Sequence, residues 1–327
     1  VTTVSVAMAT YNGERYLLEQ LESIAHQTRV PDEVVISDDG STDKTVEIAR
    51  RWAQTAPMAV RWLINEARLG CCANFDRALA QTTGDIVCLS DQDDVWLPWK
   101  IARVLEEFKE NPKVLLVLNN QRITTHELRD TGWTTFRRHN AGHGCCVSAR
   151  RQLLELALPI PCDCDRDWVN HDHWLIRLAT VLNRKQLIEE PLQLYRRHRG
   201  AFGIVRNQGC RDQDPTNKKR TFLSNVQSTF AMSRSQRTQS FQRTLKEIDE
   251  MLARLTAPSV AGDDTMGQDV VEALSTIQRE QEALHNRLIL LNQGWIGRRT
   301  GSIRLLKAGD YNCFGRWKSF LRDFLGA

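Results

Sequence analysis

The sequence predicts an α/β fold, a sheet with parallel strands and helices on both faces. Three observations predict it. Short apolar runs alternate with segments of helical period through the first third of the chain. Polar or acidic clusters follow the runs: Thr10-Tyr11-Asn12, Asp38-Asp39 and Asp91-Gln92-Asp93. The composition, 41% apolar and 26% charged over 327 residues, is that of an ordinary globular chain and excludes wholesale disorder. In parallel sheets ligands sit beyond the carboxyl ends of the strands, so these clusters are expected to meet in one crevice.

The elements follow in order. Val4–Ala9 is β-rich and reads as a first strand, closed by the turn Thr10-Tyr11-Asn12-Gly13-Glu14. A helix is expected from about Tyr16 to Gln27, with Leu17, Leu21, Ile24 and Ala25 on one face, and Pro31 ends it. Glu33–Ser37 is a second strand. Ser41 or Thr42 caps the next helix, which carries Val46, Ala49 and Trp52. Val60–Ile64 is a third strand. A helix from about Cys72 to Ala80 leads to the buried strand Ile86–Leu89.

That strand ends in Asp91-Gln92-Asp93-Asp94. So much negative charge at a strand end asks for a cation, and a hard divalent metal suits oxygen donors. The competing reading is a solvated acidic turn before a helix. A nucleoside diphosphate fits the whole set: Asp38 and Asp39 offer acceptors to base and ribose, and a metal on Asp91 and Asp93 meets the diphosphate. Neither G-x-G-x-x-G after the first strand nor G-x-x-x-x-G-K-[ST] occurs, which disfavours nicotinamide dehydrogenases and P-loop enzymes. A nucleotidyltransferase would want a Gly/Lys/Arg-rich loop where Thr10–Glu14 stands.

Three segments carry a family resemblance: Val6–Gly13, Ser37–Asp43 and Gly84–Trp96. In this order and spacing they resemble the family 2 glycosyltransferases. The Asp-Gln-Asp-Asp-Val-Trp form is similar to bacterial rhamnosyltransferase-like members that build O-antigen or capsular polysaccharide. The resemblance implies a GT-A fold, a Rossmann-like mixed sheet flanked by helices. It implies a metal-dependent, inverting transfer of a sugar from a nucleotide-diphosphate donor to a hydroxyl of a glycan or lipid-linked acceptor, with Mn²⁺ or Mg²⁺ as cofactor. Rhamnose is the first expectation; other hexosyl or N-acetylhexosaminyl donors, and a non-catalytic scaffold of the same fold, are the alternatives. Thr10, Tyr11, Asn12, Glu14, Asp38, Asp39, Asp91 and Gln92 are expected on the donor. Arg68, in the loop Asn65–Gly70, is expected at the diphosphate or, alternatively, on the open surface.

Past Trp96, Pro98 opens a helix with Ile101, Val104, Leu105 and Phe108 inward, followed by the strand Val114–Leu118. Trp133–His143 reads as an irregular acceptor-side loop. Gly142–Val147 reads as a strand whose Gly142 and Gly144 either admit a sugar or serve a bulge. Asn170-His171-Asp172-His173-Trp174 opens a helix with Leu175, Leu178, Ala179 and Leu182. His-Asp-x-Trp resembles the family's catalytic segment, which makes Asp172 the general base; a helix-capping acid is the plain alternative. His171, Trp174 and Gly144 are expected on the acceptor, a core tryptophan being the plain alternative. The family often has Trp where this chain has His173, which leaves the acceptor open. The strand Leu187–His198 ends in Tyr195-Arg196-Arg197-His198, which resembles the family's closing segment. By that likeness His198 joins Asp91 and Asp93 on the metal, and Arg196 or Arg197 meets the diphosphate.

The expected organisation is a glycosyltransferase domain over 1–207, a helical extension over 208–293 and a basic amphipathic tail over 294–327. The extension has a polar loop at Gln208–Lys219, helices at about Phe222–Leu255 and Val270–Leu291, and a polar link at Ala257–Gly267. Arg316–Leu325 is a basic amphipathic helix that either lies on anionic lipid or docks on this chain or a second copy. Net charge of +4 is too small to imply nucleic acid. No apolar run approaches the ~18 residues of a membrane span. The chain enters a strand at once, so no signal peptide is expected. Without C-x-x-C pairs the cysteines read as belonging to a reducing, cytoplasmic setting, at most peripheral to the inner membrane.

Overall fold

β1 (Val4–Thr10) lies at the centre of the parallel half of the sheet, buried at every residue but Ala9. β2 (Glu33–Asp38) pairs with it on one side and β4 (Ile86–Ser90) on the other, both parallel. β3 (Ala59–Ile64) forms the edge beyond β2, with Arg61 exposed. The register sets Thr10 opposite Asp38 and Met8 opposite Ser90, so the carboxyl ends of three strands are level. That alignment brings the expected motifs to one rim.

The computed structural model describes residues 1–135, 143–162, 170–198, 234–257, 267–314 and 317–325. The chain divides into two compact units, residues 1–206 and 207–327. In the first, the sheet order is β3-β2-β1-β4-β8-β6-β9-β5, with β7 on β6. Here β5 is Val95–Trp96, β6 is Leu116–Thr124, β7 is Asp130–Thr134, β8 is Val147–Arg150 and β9 is Lys185–Arg196. β8 runs antiparallel to both β4 and β6, and β9 runs parallel to β6, so the sheet is mixed. Its helices are α1 (Leu17–Ala25), α2 (Thr45–Ala53), α3 (Cys71–Ala80), α4 (Lys100–Glu110), α5 (Arg151–Ala157) and α6 (His171–Val181). Leu17, Leu21 and Ile24 of α1, Ala49 and Trp52 of α2, and Ile101, Val104 and Phe108 of α4 bury the stripes their spacing predicts, against Val4, Val6, Met8, Val34 and Ile36.

The structure departs from the sequence reading at several elements. β6 continues past Leu118 through Asn119, Asn120 and Gln121, all buried. An apolar-run criterion stops where the amides begin, but these amides find partners: Asn120 Nδ2 donates to the Glu189 carbonyl at 2.9 Å. Trp133 belongs to β7 rather than to a loop; residues 136–142, Gly142 among them, lie outside the described residues. The expected strand at Gly142–Val147 is a 3-10 turn at Gly144–Cys146, closed by Cys146 N donating to the His143 carbonyl at 2.9 Å, and the strand begins only at Val147. The cysteines also differ from expectation, since Cys72 and Cys162 form a disulfide across a Cα separation of 6.3 Å. The segment after α5 is drawn to α3 by Ile160 N, which donates to Asp76 Oδ1 at 2.6 Å.

In the second unit α7 (Arg234–Leu255) and α8 (Gly267–Leu291) pack on each other, followed by α9 (Trp295–Ala308), a 3-10 turn (Asp310–Phe314) and α10 (Trp317–Leu325). The expected loop Gln208–Lys219, the start of the helix expected from Phe222 and most of the link Ala257–Gly267 lie outside the described residues. Leu290, Leu305, Tyr311 and Phe320 form the core. Within it Arg287 Nε donates to Asp323 Oδ2 at 2.8 Å, and the Tyr311 hydroxyl donates to the same oxygen at 3.1 Å. The amphipathic helix expected at the terminus corresponds to α10, whose Phe320 and Asp323 are buried within this unit. Among the described residues no helix is long and apolar enough to cross a membrane.

Candidate active site

Asp38 ends β2 fully buried, and its carboxylate is taken up by its own neighbours. Ser41 N donates to Oδ1 at 2.8 Å; Ser41 Oγ and Thr10 Oγ1 donate to Oδ2 at 2.6 and 2.7 Å. Asn12 takes a positive φ of 48°, which Asn tolerates better than most residues. It bridges to the same turn, donating its N–H to Ser41 Oγ at 2.8 Å and accepting from Thr42 N at 2.9 Å on Oδ1. Glu14 Oε2 accepts from Lys44 N at 3.0 Å. Thr10, Asn12, Glu14 and Asp38 thus knit the β1 and β2 ends into one rim.

Asp39 shapes the next loop. It accepts from Leu69 N at 2.6 Å, Gly70 N at 2.9 Å and Asn65 Nδ2 at 3.0 Å. Asn65 Nδ2 also donates to Asn74 Oδ1 at 3.0 Å, and Asn74 Nδ2 donates to the Ser37 carbonyl at 2.9 Å. This buried amide pair ties the loop to the sheet. Arg68 is held at its edge, its guanidinium 4.0 Å from the centre of the Tyr11 ring and 3.9 Å from Asp39 Oδ2. The arginine side chain remains exposed, so its charge faces the crevice rim.

The acid turn after β4 sorts its four residues. Gln92 reaches the β1 loop with both ends of its amide, accepting from Tyr11 N at 2.9 Å and donating to the Tyr11 carbonyl at 3.0 Å. Asp93 Oδ2 is 2.8 Å from His198 Nε2, an ion pair when the imidazole is protonated. Asp94 is fully buried, accepting from Arg196 N at 3.1 Å and Gln193 Nε2 at 3.3 Å. Burial and the charges of Asp93 and Asp91 push its carboxyl well above the usual range. Asp91, half-buried, is pushed up to about 7 by desolvation, then by Asp93 and Asp172. Arg196, expected at the diphosphate, is instead committed within the protein: it donates to the carbonyls of Asp93 at 2.9 Å and His126 at 2.7 Å, and pairs with Glu19.

Asp91, Asp94 and Cys145 each bring a potential ligand atom within 4.8 Å of the others. This set differs from the expected Asp91, Asp93 and His198 because the turn points Asp94 inward and Asp93 toward β9. The Cys145 thiol donates to Gln121 Oε1 at 3.4 Å, and a thiol suits a hard cation poorly. The carboxylates are the donors that fit Mg²⁺ or Mn²⁺, and the raised Asp91 marks negative charge that a divalent cation would relieve.

Asp172 lies in the first turn of α6, and its own Oδ1 accepts from His173 N at 2.7 Å. Although far from the acid turn in sequence, its charge acts on both Asp91 and His143. The residues expected beside it on the acceptor are placed differently. Trp174 is fully buried and donates Nε1–H to the Ala157 carbonyl at 2.9 Å, so it anchors α6 rather than offering a face to a sugar. His171 is also buried, stacked on Phe75 with ring centres 4.0 Å apart. A Cβ on Gly144 would overlap His171 Nε2, so that glycine admits the histidine, not a ligand.

Sequence reasoning missed the floor of the site: Lys100, Gln121, Cys145 and Gln193, all buried. One signal was present. Lys100 falls on the same helical stripe as Val104 and Phe108, where an apolar residue is expected.

The glycosyl transferase family 2 profile matches residues 5–154. The chain is 30% identical over 236 residues to the dTDP-rhamnosyl transferase RfbG of Shigella flexneri, covering 63% of this chain and 81% of that protein. It is 28% identical over 211 residues to an uncharacterized glycosyltransferase of Nostoc sp., covering 60% of this chain; it spans 65% of that relative's length, less than two thirds. Among solved structures it is similar to Staphylococcus aureus TarS 1-349 in complex with UDP, with a TM-score of 0.51 at 16% identity, covering 86% of this chain and 91% of that one. The chain belongs to glycosyltransferase family 2, with the GT-A mixed sheet flanked by helices.

Proposed function

We propose that the first unit transfers a glycosyl group from a nucleotide-diphosphate sugar to a hydroxyl of a growing polysaccharide, with inversion. The observation that carries this is the packing of the start of α6 against the acid turn: His171, next to Asp172, lies against Gly144, and the adjoining Cys145 brings its sulfur within 4.8 Å of carboxylate oxygens of Asp91 and Asp94. Asp91 suits the leaving diphosphate's cation, Asp172 the incoming nucleophile.

The rim of Thr10, Tyr11, Asn12, Asp38 and Asp39 shapes the nucleoside pocket by its backbone, because the two aspartates are occupied holding it. Asp91, with Asp94 converging on it and Asp93 in the same turn, would hold Mg²⁺ or Mn²⁺, His198 staying on Asp93, and the ion when bound would neutralise charge on the diphosphate. Arg68 swings from Tyr11 to the phosphates. Asp172 accepts the proton of the acceptor hydroxyl as that oxygen bonds to the anomeric carbon. The bond from that carbon to the diphosphate oxygen breaks on the opposite face, which inverts the centre. A dTDP-rhamnose donor is favoured by the likeness to the Shigella dTDP-rhamnosyl transferase.

The test is calorimetric titration of dTDP and UDP, each with and without Mn²⁺, followed by turnover of the matching labelled sugar nucleotide. Metal-dependent binding of dTDP and transfer of rhamnose are expected. Failure of both nucleotides to bind under either condition would remove the proposal.

A further inference from the structure

Lys100 opens α4 fully buried. Both facts are costs: a cation is disfavoured at the positive end of a helix dipole, and burial lowers its affinity for the proton. Its contacts offset them. Nζ donates to the Cys145 carbonyl at 2.9 Å and to Gln193 Oε1, and it lies 4.0 Å from the centre of the Trp96 ring.

The consequence is directional. An ammonium can only donate, so it fixes which end of the Gln193 amide faces it. The other end, Nε2, is thereby aimed at Asp94 Oδ2 at 3.3 Å and Gln121 Oε1 at 3.0 Å. Gln121 Oε1 also accepts the Cys146 thiol at 3.1 Å. Through one nitrogen, Lys100 joins the acid turn, the 3-10 turn before β8, and strands β6 and β9. None of these contacts reaches the crevice rim, so apart from its charge the lysine acts through others.

We propose that Lys100 is a positioning residue for the cation site: by orienting Gln193 it sets Asp94, and with it the acid turn that presents Asp91 and Asp93. This rests on the reading of that turn as a divalent-cation site.

The sign of one measurement tests it. Mn²⁺ binding to the full chain is followed by the loss of the free-ion paramagnetic resonance signal, beside a thermal melt without metal. By Coulomb attraction alone, Lys100→Met removes a nearby positive charge and tightens Mn²⁺ binding. Positioning predicts the reverse: a folded Lys100→Met chain whose affinity falls roughly 10- to 100-fold. Equal or tighter binding overturns the proposal. If Lys100→Met does not fold, Gln193→Glu decides, since it keeps a partner for Lys100 but loses the donor to Asp94. Weaker Mn²⁺ binding supports positioning, and tighter or equal binding, as an added carboxylate alone would give, overturns it. Unfolding of both variants overturns it in favour of a purely structural lysine. A parent chain that binds no Mn²⁺ removes the cation reading and this inference together, whereas a parent that binds and a variant that binds equally removes this inference alone.

Discussion

Gln92 closes on the main chain of Tyr11 from both sides, at 2.9 Å to its nitrogen and 3.0 Å to its carbonyl oxygen. The contact spans two strand ends, and Gly13 makes room for it: a Cβ there would overlap the Gln92 amide. Gln92, expected on the donor, holds the Tyr11 loop in shape. Removing both bonds with Gln92→Leu is expected to weaken nucleotide binding about tenfold, at ~1 kcal/mol or less per bond. Gly13→Ala should do the same by pushing the amide away. Calorimetry with the bound nucleotide checks both, and full affinity in either variant would show the loop is held by other means.

Asp172→Asn keeps the size of the side chain but removes the proposed base. Turnover is expected to fall on the order of 10²- to 10⁴-fold. Nucleotide and Mn²⁺ affinity should stay near those of the parent. A variant with near-parent turnover would assign the proton to another group.

Asp91 predicts a pH dependence. Its carboxyl, ordinarily near 3.8, sits at about 7 in the folded chain. Between those values the native state holds a proton that the unfolded chain has released, so without metal stability declines as pH rises toward neutrality and levels above about 7. Divalent binding displaces that proton and should strengthen over the same rise. Urea unfolding at about pH 5 and about pH 8 checks the first statement. Asp91→Asn should flatten the decline and weaken Mn²⁺ binding; an unchanged slope would place the titrating group elsewhere.

Trp174 separates a core role from a sugar platform. Its indole is fully buried and bonded to Ala157. Trp174→Ala is expected to cost about 3–5 kcal/mol of stability in denaturant titration. A platform would instead raise the acceptor's KM and leave the unfolding midpoint in place.

In the second unit, Asp323→Ala takes the carboxylate from the buried Arg287 guanidinium. The expected loss is about 3–5 kcal/mol. Asp323→Ala combined with Arg287→Met should recover much of it, as followed by melting of the full chain; no recovery would mean that the pair matters for more than charge.

Strand ends and helical stripes were legible because burial leaves a period in the sequence: Val4–Ala9 and Ile86–Leu89 are runs that only a buried strand explains. Asp91 and Asp172 were legible as types in context. What each carboxylate touches was not. Asp38 and Asp39 look like ligand acceptors in the sequence, yet Asp38 accepts from Ser41 and Thr10, and Asp39 from Asn65, Leu69 and Gly70. The same holds for Trp174 and for the Cys72–Cys162 pair, whose partners are set by packing of distant segments. The β6 amides broke the apolar pattern, so the strand was cut short where its chemistry begins.

The reversal of strand direction between β4 and β8 marks a seam. Apart from His198, every residue proposed to shape the nucleotide side hangs from β1 to β4 and their loops, while Asp172 hangs from the half built by β6, β8 and β9. On the proposed assignment, such a division lets selection rewrite the acceptor half while the donor half keeps its grip. Exchanging the segment after Val147 between relatives is therefore a natural way to redirect a sugar without relearning how to hold it.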